Sequence, residues 1–170
     1  TSYGGSSGSL ADVAFYYFNT DLRDGTAWGN CVGGLGSGTS VCGTVDKFQK
    51  QNMVTFGIGL GLNGTLRFDK NYITQTDPGS GDFYDLKRGT KSWPVPSDDG
   101  NAENVDDLWH AAVNSTDFGT ATLPVAKPNT QYFSAQDPSQ LINSLNIALD
   151  TIVQIVGSAS AAATSTLAGS

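Results

Sequence analysis

The stretch MVTFGIGLGL, residues 53–62, constrains the fold of this chain most. Val54, Phe56, Ile58 and Leu60 alternate with Thr55, Gly57, Gly59 and Gly61, the two-residue period of a strand. One face is strongly apolar, and the other is small enough for a helix to pack closely across it. Such a strand belongs in the middle of a sheet.

Helices flank it in sequence. Ser9 caps a helix over residues 10–19, with Leu10, Val13, Ala14 and Tyr17 as its buried face. Asn104 caps a second helix that carries Asp106 and Asp107 in its first turn, where the helix dipole favours acid. Its packing face is Val105, Leu108, Trp109, Ala112 and Val113. Residues 131–135 form a short strand. Asp137-Pro138-Ser139-Gln140 then starts a third helix: an Asp cap, Pro at the first position and Gln closing the box. Its stripe is Leu141, Leu145, Ala148, Leu149, Ile152 and Val156, and Gly157 is expected to stop it.

The order α–β–α–β–α implies parallel strands joined by helical crossovers. The expected class is therefore α/β, a Rossmann-like parallel sheet flanked by helices. Buried strands need neighbours on both edges, so two strands make half of such a domain. The opening strands are expected upstream in a longer protein or from another chain. Residues 1–9 read as a Gly/Ser leader, 10–157 as the half-domain and 158–170 as a Ser/Ala-rich linker tail. Gly-, Pro- and Asp-rich loop insertions are expected at 24–50, 67–103 and 116–130.

Charged residues make up only 15% of the 170, and there are 21 glycines, a composition suited to a secreted surface protein. The formal net charge of −7 argues against nucleic acid or an anionic membrane surface as partner. Asn143, Asn146, Asp150 and Gln154 interrupt the apolar run at 141–156, which excludes a membrane span there. Cys31 and Cys42 are the only cysteines and share one glycine-rich loop, GNCVGGLGSGTSVCG. Their spacing fits neither a redox pair nor a zinc knuckle. A local disulfide, rather than two free thiols, is the preferred reading and implies an oxidising compartment.

Motifs for chemistry are sparse. Residues 59–64 fit G-x-G-x-x-G, but the segment 65–82 carries no helical stripe to hold a pyrophosphate, so close packing or turn geometry explains the glycines better. His110 is the only histidine; Asp106 precedes it by one helical turn, yet no G-x-S-x-G accompanies them. A helix-borne His among Trp109, Ala111 and Ala112 reads as structural. Asp98, Asp99, Asn101 and Glu103 place hard oxygen ligands at calcium-like spacing, against the plainer reading of a solvated loop and helix cap. Trp28, Trp93, Tyr72, Phe83 and Tyr84 fall in expected loops. Trp28, Trp93 and Tyr84 are the candidates for stacking on a ligand, unless the aromatics pin the loops to the domain.

Five ordered landmarks resemble the PilC/PilY family of type IV pilus tip-associated proteins. They are LADVAFYYFNTDLR (10–23), QNMVTFGIGLGLNGTL (51–66), LKRGTKSWPVP (86–96), DDLWHAAVNS (106–115) and YFSAQDPSQL (132–141), and together they make up 61 of the 170 residues. Phe18 and Asn52 depart from the Trp and His expected there. The resemblance implies the C-terminal half of a von Willebrand factor A-like domain. It implies a non-enzymatic adhesion or assembly module acting in pilus biogenesis, surface attachment or sensing, located outside the cell at the pilus tip or outer membrane. Implied partners are the rest of the A-like domain, minor pilins or neighbouring copies, and a host or abiotic surface. Such domains bind Mg or Ca through Asp-x-Ser-x-Ser, a string this chain lacks. Any divalent metal therefore belongs to the full parent domain, and no cofactor is expected here. The alternatives are a filament subunit that completes its sheet with neighbouring copies, or a carbohydrate-binding surface protein that uses the loop aromatics.

Overall fold

The computed structural model describes residues 7–20, 22, 52–77, 79, 81–116 and 131–164, with side chains in the last helix as far as residue 153. Cys31, Cys42 and Trp28 lie outside the described residues, as do the whole of the expected 24–50 loop and all of the expected 116–130 loop after Thr116. The elements are α1 (Leu10–Asn19), β1 (Gly57–Leu60), a 3-10 turn (Tyr72–Thr74), α2 (Phe83–Arg88), α3 (Ala102–Asn114), β2 (Tyr132–Ala135) and α4 (Pro138–Thr164). β1 and β2 pair in parallel, with Gly57 opposite Tyr132 and Leu60 opposite Ala135. Helices flank the pair, a partial α/β, Rossmann-like arrangement as expected.

The small face of β1 is the buried one. Gly57 and Gly59 are buried, whereas Ile58 is half-buried and Leu60 is 56% exposed. A Cβ on Gly57 would sit 3.0 Å from the Tyr132 ring and 3.1 Å from Leu108. On Gly59 it would meet the Tyr132 hydroxyl at 2.7 Å. The glycines thus let Tyr132 and α3 lie directly on the strand.

α1 packs on α3 through Ala11, Ala14 and Ala111, all buried. This corrects the expected face, because Leu10 and Val13 are each 46% exposed and Tyr17 is also exposed. Alanines sit at the contact because close approach of two backbones leaves no room for larger side chains. Polar groups fasten the joint. The Asp107 carboxylate on α3 accepts from the Leu10 and Ala11 amides (2.8 and 3.2 Å), and Ser9 Oγ accepts from Asp12 N at 3.2 Å. Between them, the first three amides of α1 are satisfied. Asn114 Nδ2 donates to Ala11 O at 2.8 Å. At the other end, Met53 N and Asn52 Nδ2 donate to the Tyr17 and Phe18 carbonyls.

The stretch expected to be loop at 67–103 supplies much of the core. Tyr72, Phe83, Leu86 and Trp93 pack with Leu66, Trp109, Ala112, Val113 and Tyr132 in one cluster. The missed helix α2 had a readable signature. Phe83 and Leu86 lie three apart, Lys87 and Arg88 occupy the last turn, and Gly89 closes it at φ 71°. The capping residue of α3 is Asn101, one turn earlier than expected. Asp106 and Asp107 are therefore beyond the first turn, and Asn104 instead clips Ser97, with bonds of 2.8 Å to its amide and its carbonyl.

α4 begins as expected: Asp137 Oδ1 accepts from the Ser139 and Gln140 amides, and Gln140 Oε1 accepts from Gln136 N at 3.0 Å. It does not stop at Gly157 but runs on to Thr164, through the stretch expected to be linker. The Ala-rich sequence there offsets the cost of about 1 kcal/mol for one helical Gly. Among its described side chains, the buried positions are Ser144, Ala148 and Thr151. Ile142, Leu145, Leu149 and Ile152, spaced three and four apart, are exposed. The expected stripe is thus buried only at Ala148 among its described members, with Leu141 half-buried.

Candidate functional site

Parallel strands end at the same edge, and in open α/β sheets ligands settle beyond their carboxyl ends. Two depressions lie there, of about 510 and 650 Å3. Both are lined by Phe68, Tyr132 and Ser134, so they adjoin as one groove. The segment 62–68, which follows β1, forms one wall of the first, and Gln136, which follows β2, faces it. The first turns of α4 wall the second through Gln140, Asn143, Ser144 and Ile147.

Asp106 positions the 62–68 wall. Its buried carboxylate accepts from Thr65 N (2.8 Å), Thr65 Oγ1 (2.6 Å) and Leu66 N (3.3 Å). Gly64 presses so closely that a Cβ there would fall 1.8 Å from Asp106 Oδ1. Further along, Arg67 N donates to Asp82 at 2.8 Å, and the Arg67 guanidinium and Lys91 ammonium pair with the same carboxylate at 3.1 and 2.7 Å. Burial alone would raise the Asp82 carboxyl. The hydrogen bonds from Lys91 and Arg67 outweigh it and hold the group below the usual range.

Aromatic rings floor the groove. Phe68 meets Trp109 and Tyr132 edge-on, with centroids 5.2 and 5.1 Å apart. Burial first, then the Asp106 charge, pushes the Tyr132 hydroxyl up to about 12, so it stays protonated at neutral pH. Burial likewise raises Tyr72. On the rim, Gln136 Nε2 donates to Asn63 Oδ1 (3.2 Å) and Ser134 Oγ (3.0 Å).

The sequence candidates sit elsewhere. Trp93 is 3% exposed and stacks on His110 at 4.3 Å with the rings 6° from parallel. Its faces are spent in the core, which corrects its place among the ligand-stacking candidates. Tyr72 and Phe83 are fully buried. Tyr84 is half-buried, with the Arg88 guanidinium 5.5 Å over its ring. Asp98, Asp99 and Asn101 are exposed and Glu103 is half-buried. Among the described residues, no group of three or more His, Cys, Asp or Glu side chains comes together to hold a metal. After Gly61 the chain continues as irregular wall rather than helix, so no helix N-terminus faces the G-x-G-x-x-G segment. The groove residues Asn63, Phe68, Asn71, Gln136 and Asn143 were not singled out from sequence. For Asn63 and Gln136 the signal was available, since each follows a strand end; Asn71 and Asn143 carry no linear cue.

No solved structure and no family model matches the chain. Among curated proteins, the type IV pilus biogenesis factor PilY1 of Pseudomonas aeruginosa strain UCBPP-PA14 is 33% identical over 151 residues, 85% of this chain. PilY1 of strains PAO1 and PAK is 30% identical over 155 and 154 residues. The chain spans 12% of the length of each of these relatives.

Proposed function

Because the chain belongs to the PilC/PilY family, matching one segment of a much longer type IV pilus biogenesis factor, we propose that it is a non-enzymatic extracellular module of a pilus-associated protein. It acts in pilus assembly and in surface attachment or sensing. The observation that carries this reading is the identity of 33% across 85% of the chain. The use of its titratable groups agrees with a module that presents surfaces. Asp82, Asp106 and Asp107 hold loops and helix ends, and His110 is stacked in the core.

The module is half of an A-like domain. Three uncovered surfaces support this. β1 pairs on one edge only among the described residues; α1 leaves Leu10, Val13, Tyr16 and Tyr17 exposed; and α4 leaves an apolar seam from Ile142 to Ile152. A right-handed crossover through α1 into β1 requires a preceding parallel strand, which fits at the open edge of β1. The remaining domain, minor pilins and an outer surface are the proposed partners, and any divalent metal of the whole domain would be held outside these residues. Among the described residues no helix is long and apolar enough to cross a membrane.

The test is Asp107→Ala in the full-length parent protein, which loosens α1 from α3, with surface piliation and attachment measured. Reduced piliation at normal protein level supports the reading. Unchanged piliation and attachment, with α1 shown by hydrogen exchange to be loosened, contradict it.

A further inference from the structure

The groove beyond the strand ends offers chemistry that the pilus role does not require. Its rim is rich in carboxamides. The Asn71 and Asn143 side chains make no hydrogen bond to other described residues, and both residues are exposed. Gln136 and Asn63 are already oriented by the bond between them, which leaves Gln136 Oε1 and Asn63 Nδ2 unengaged among the described residues. A carboxamide offers a donor pair and an acceptor side by side, the complement of adjacent hydroxyl groups. Beneath the rim, the half-buried Phe68 ring lines both depressions and is held edge-on by Trp109 and Tyr132, with the Tyr72 ring tilted against it. A rigid apolar ring is a platform for the C–H face of a sugar, and little ordering entropy is lost on contact.

Charge argues for a neutral ligand. In the first depression, the Asp106 carboxylate is taken up by the Thr65 and Leu66 groups and Arg67 by Asp82. Among the described residues, Lys70 is the only charged one lining the second, and the chain carries a net −7. Volumes of about 510 and 650 Å3 suit one or two pyranose rings each. We propose that this groove, with Phe68 as platform and Asn63, Asn71, Gln136 and Asn143 as hydroxyl-binding groups, is a binding site for neutral oligosaccharides. It differs from a site built on Trp93, whose ring is buried. It also stands apart from the pilus role, since glycan binding and piliation can fail independently.

The test uses the full-length parent protein. An array of neutral and sialylated glycans is followed by saturation-transfer NMR with N-acetyllactosamine, maltotriose and chitotriose. Binding of a neutral glycan at millimolar Kd or tighter is expected. Asn71→Ala, Asn143→Ala and Phe68→Leu should each weaken it about tenfold or more, while Asn146→Ala, exposed on α4 outside the groove, leaves it unchanged. The two Asn→Ala changes touch no side-chain bond among the described residues, so they separate a lost site from a lost fold. The proposal is overturned if no neutral glycan binds, if only acidic glycans bind, or if binding survives both Asn→Ala changes at full strength. Piliation measured on the same variants reads the pilus role separately.

Discussion

Gly64→Ala should open the groove wall. The new Cβ would lie 1.8 Å from Asp106 Oδ1 and 2.4 Å from its Cγ, so either the backbone or the carboxylate must move by more than an ångström. Neither can move freely. The carboxylate belongs to a residue 2% exposed, and it holds the Thr65 and Leu66 amides. Hydrogen bonds to a charged group contribute roughly 1.5–3 kcal/mol each, so losing most of two main-chain bonds costs about 2–4 kcal/mol. That cost raises local opening roughly 30- to 1,000-fold. Amide hydrogen exchange of residues 65 and 66 in the full-length protein reads it directly. Gly61→Ala is the comparison: its Cβ meets nothing within 4 Å, and only the φ of +62° carries a cost, about 1 kcal/mol. Exchange at 65 and 66 within about threefold of the parent in Gly64→Ala would refute the placement of Asp106 as the anchor of this wall.

Asp107→Ala strands the Leu10 and Ala11 amides beside α3 and should cost about 1–3 kcal/mol, seen as faster exchange over residues 10–14 with β2 unaffected. Trp93→Ala should cost about 3–5 kcal/mol in denaturant unfolding, because it removes a ring stacked on His110 and packed against Phe83 and Trp109. A ligand-stacking tryptophan at the surface would cost almost nothing. Acid should loosen the Arg67–Asp82–Lys91 junction. The Asp82 pKa is held down in the folded state, so its contribution is present above the unfolded carboxyl value of about 4 and is lost as pH falls through the lower folded value. Arg67 and Lys91 are about half exposed, so solvent screens part of the effect. Asp82→Asn should flatten an unfolding profile measured from about pH 5 to pH 2.

Much of the architecture was legible where local chemistry decides it. The Ser9 and Asp137 caps, the alternating strand at Ile58 and the helix–strand–helix order all rest on short-range signals, and all appear in the fold. Burial was less legible, because it depends on what lies opposite. Gly57 and Gly59 face the core since Tyr132 and Leu108 fill the space that their side chains would take. Leu10, Val13, Leu145 and Leu149 read as core from periodicity alone, yet they stay uncovered beside Ala14 and Ala148. Periodicity marks an apolar face but not its partner. The 67–103 stretch hid its contribution for another reason. Phe83, Leu86 and Trp93 come from one short helix and irregular chain, and the contacts that join them to Trp109 are long-range. The groove was hidden likewise, since Asn71 and Asn143 meet only after β2 and α4 have packed.

In half of a larger sheet, the free edge of β1 is where the next strand pairs. Gly57 N and Gly61 N donate to Gln131 O and Ala135 O on the β2 side, so strand alternation sends the Ile58 and Leu60 amides to the opposite edge. Single-residue hydrogen exchange of those two amides in the monomeric full-length protein is the direct measurement. Protection comparable to that of Gly57 and Gly59 means that a further strand of the same protein pairs there, as the account requires. Exchange as fast as that of an unpaired amide would mean that β1 is an edge strand, and that this segment is not half of a larger sheet.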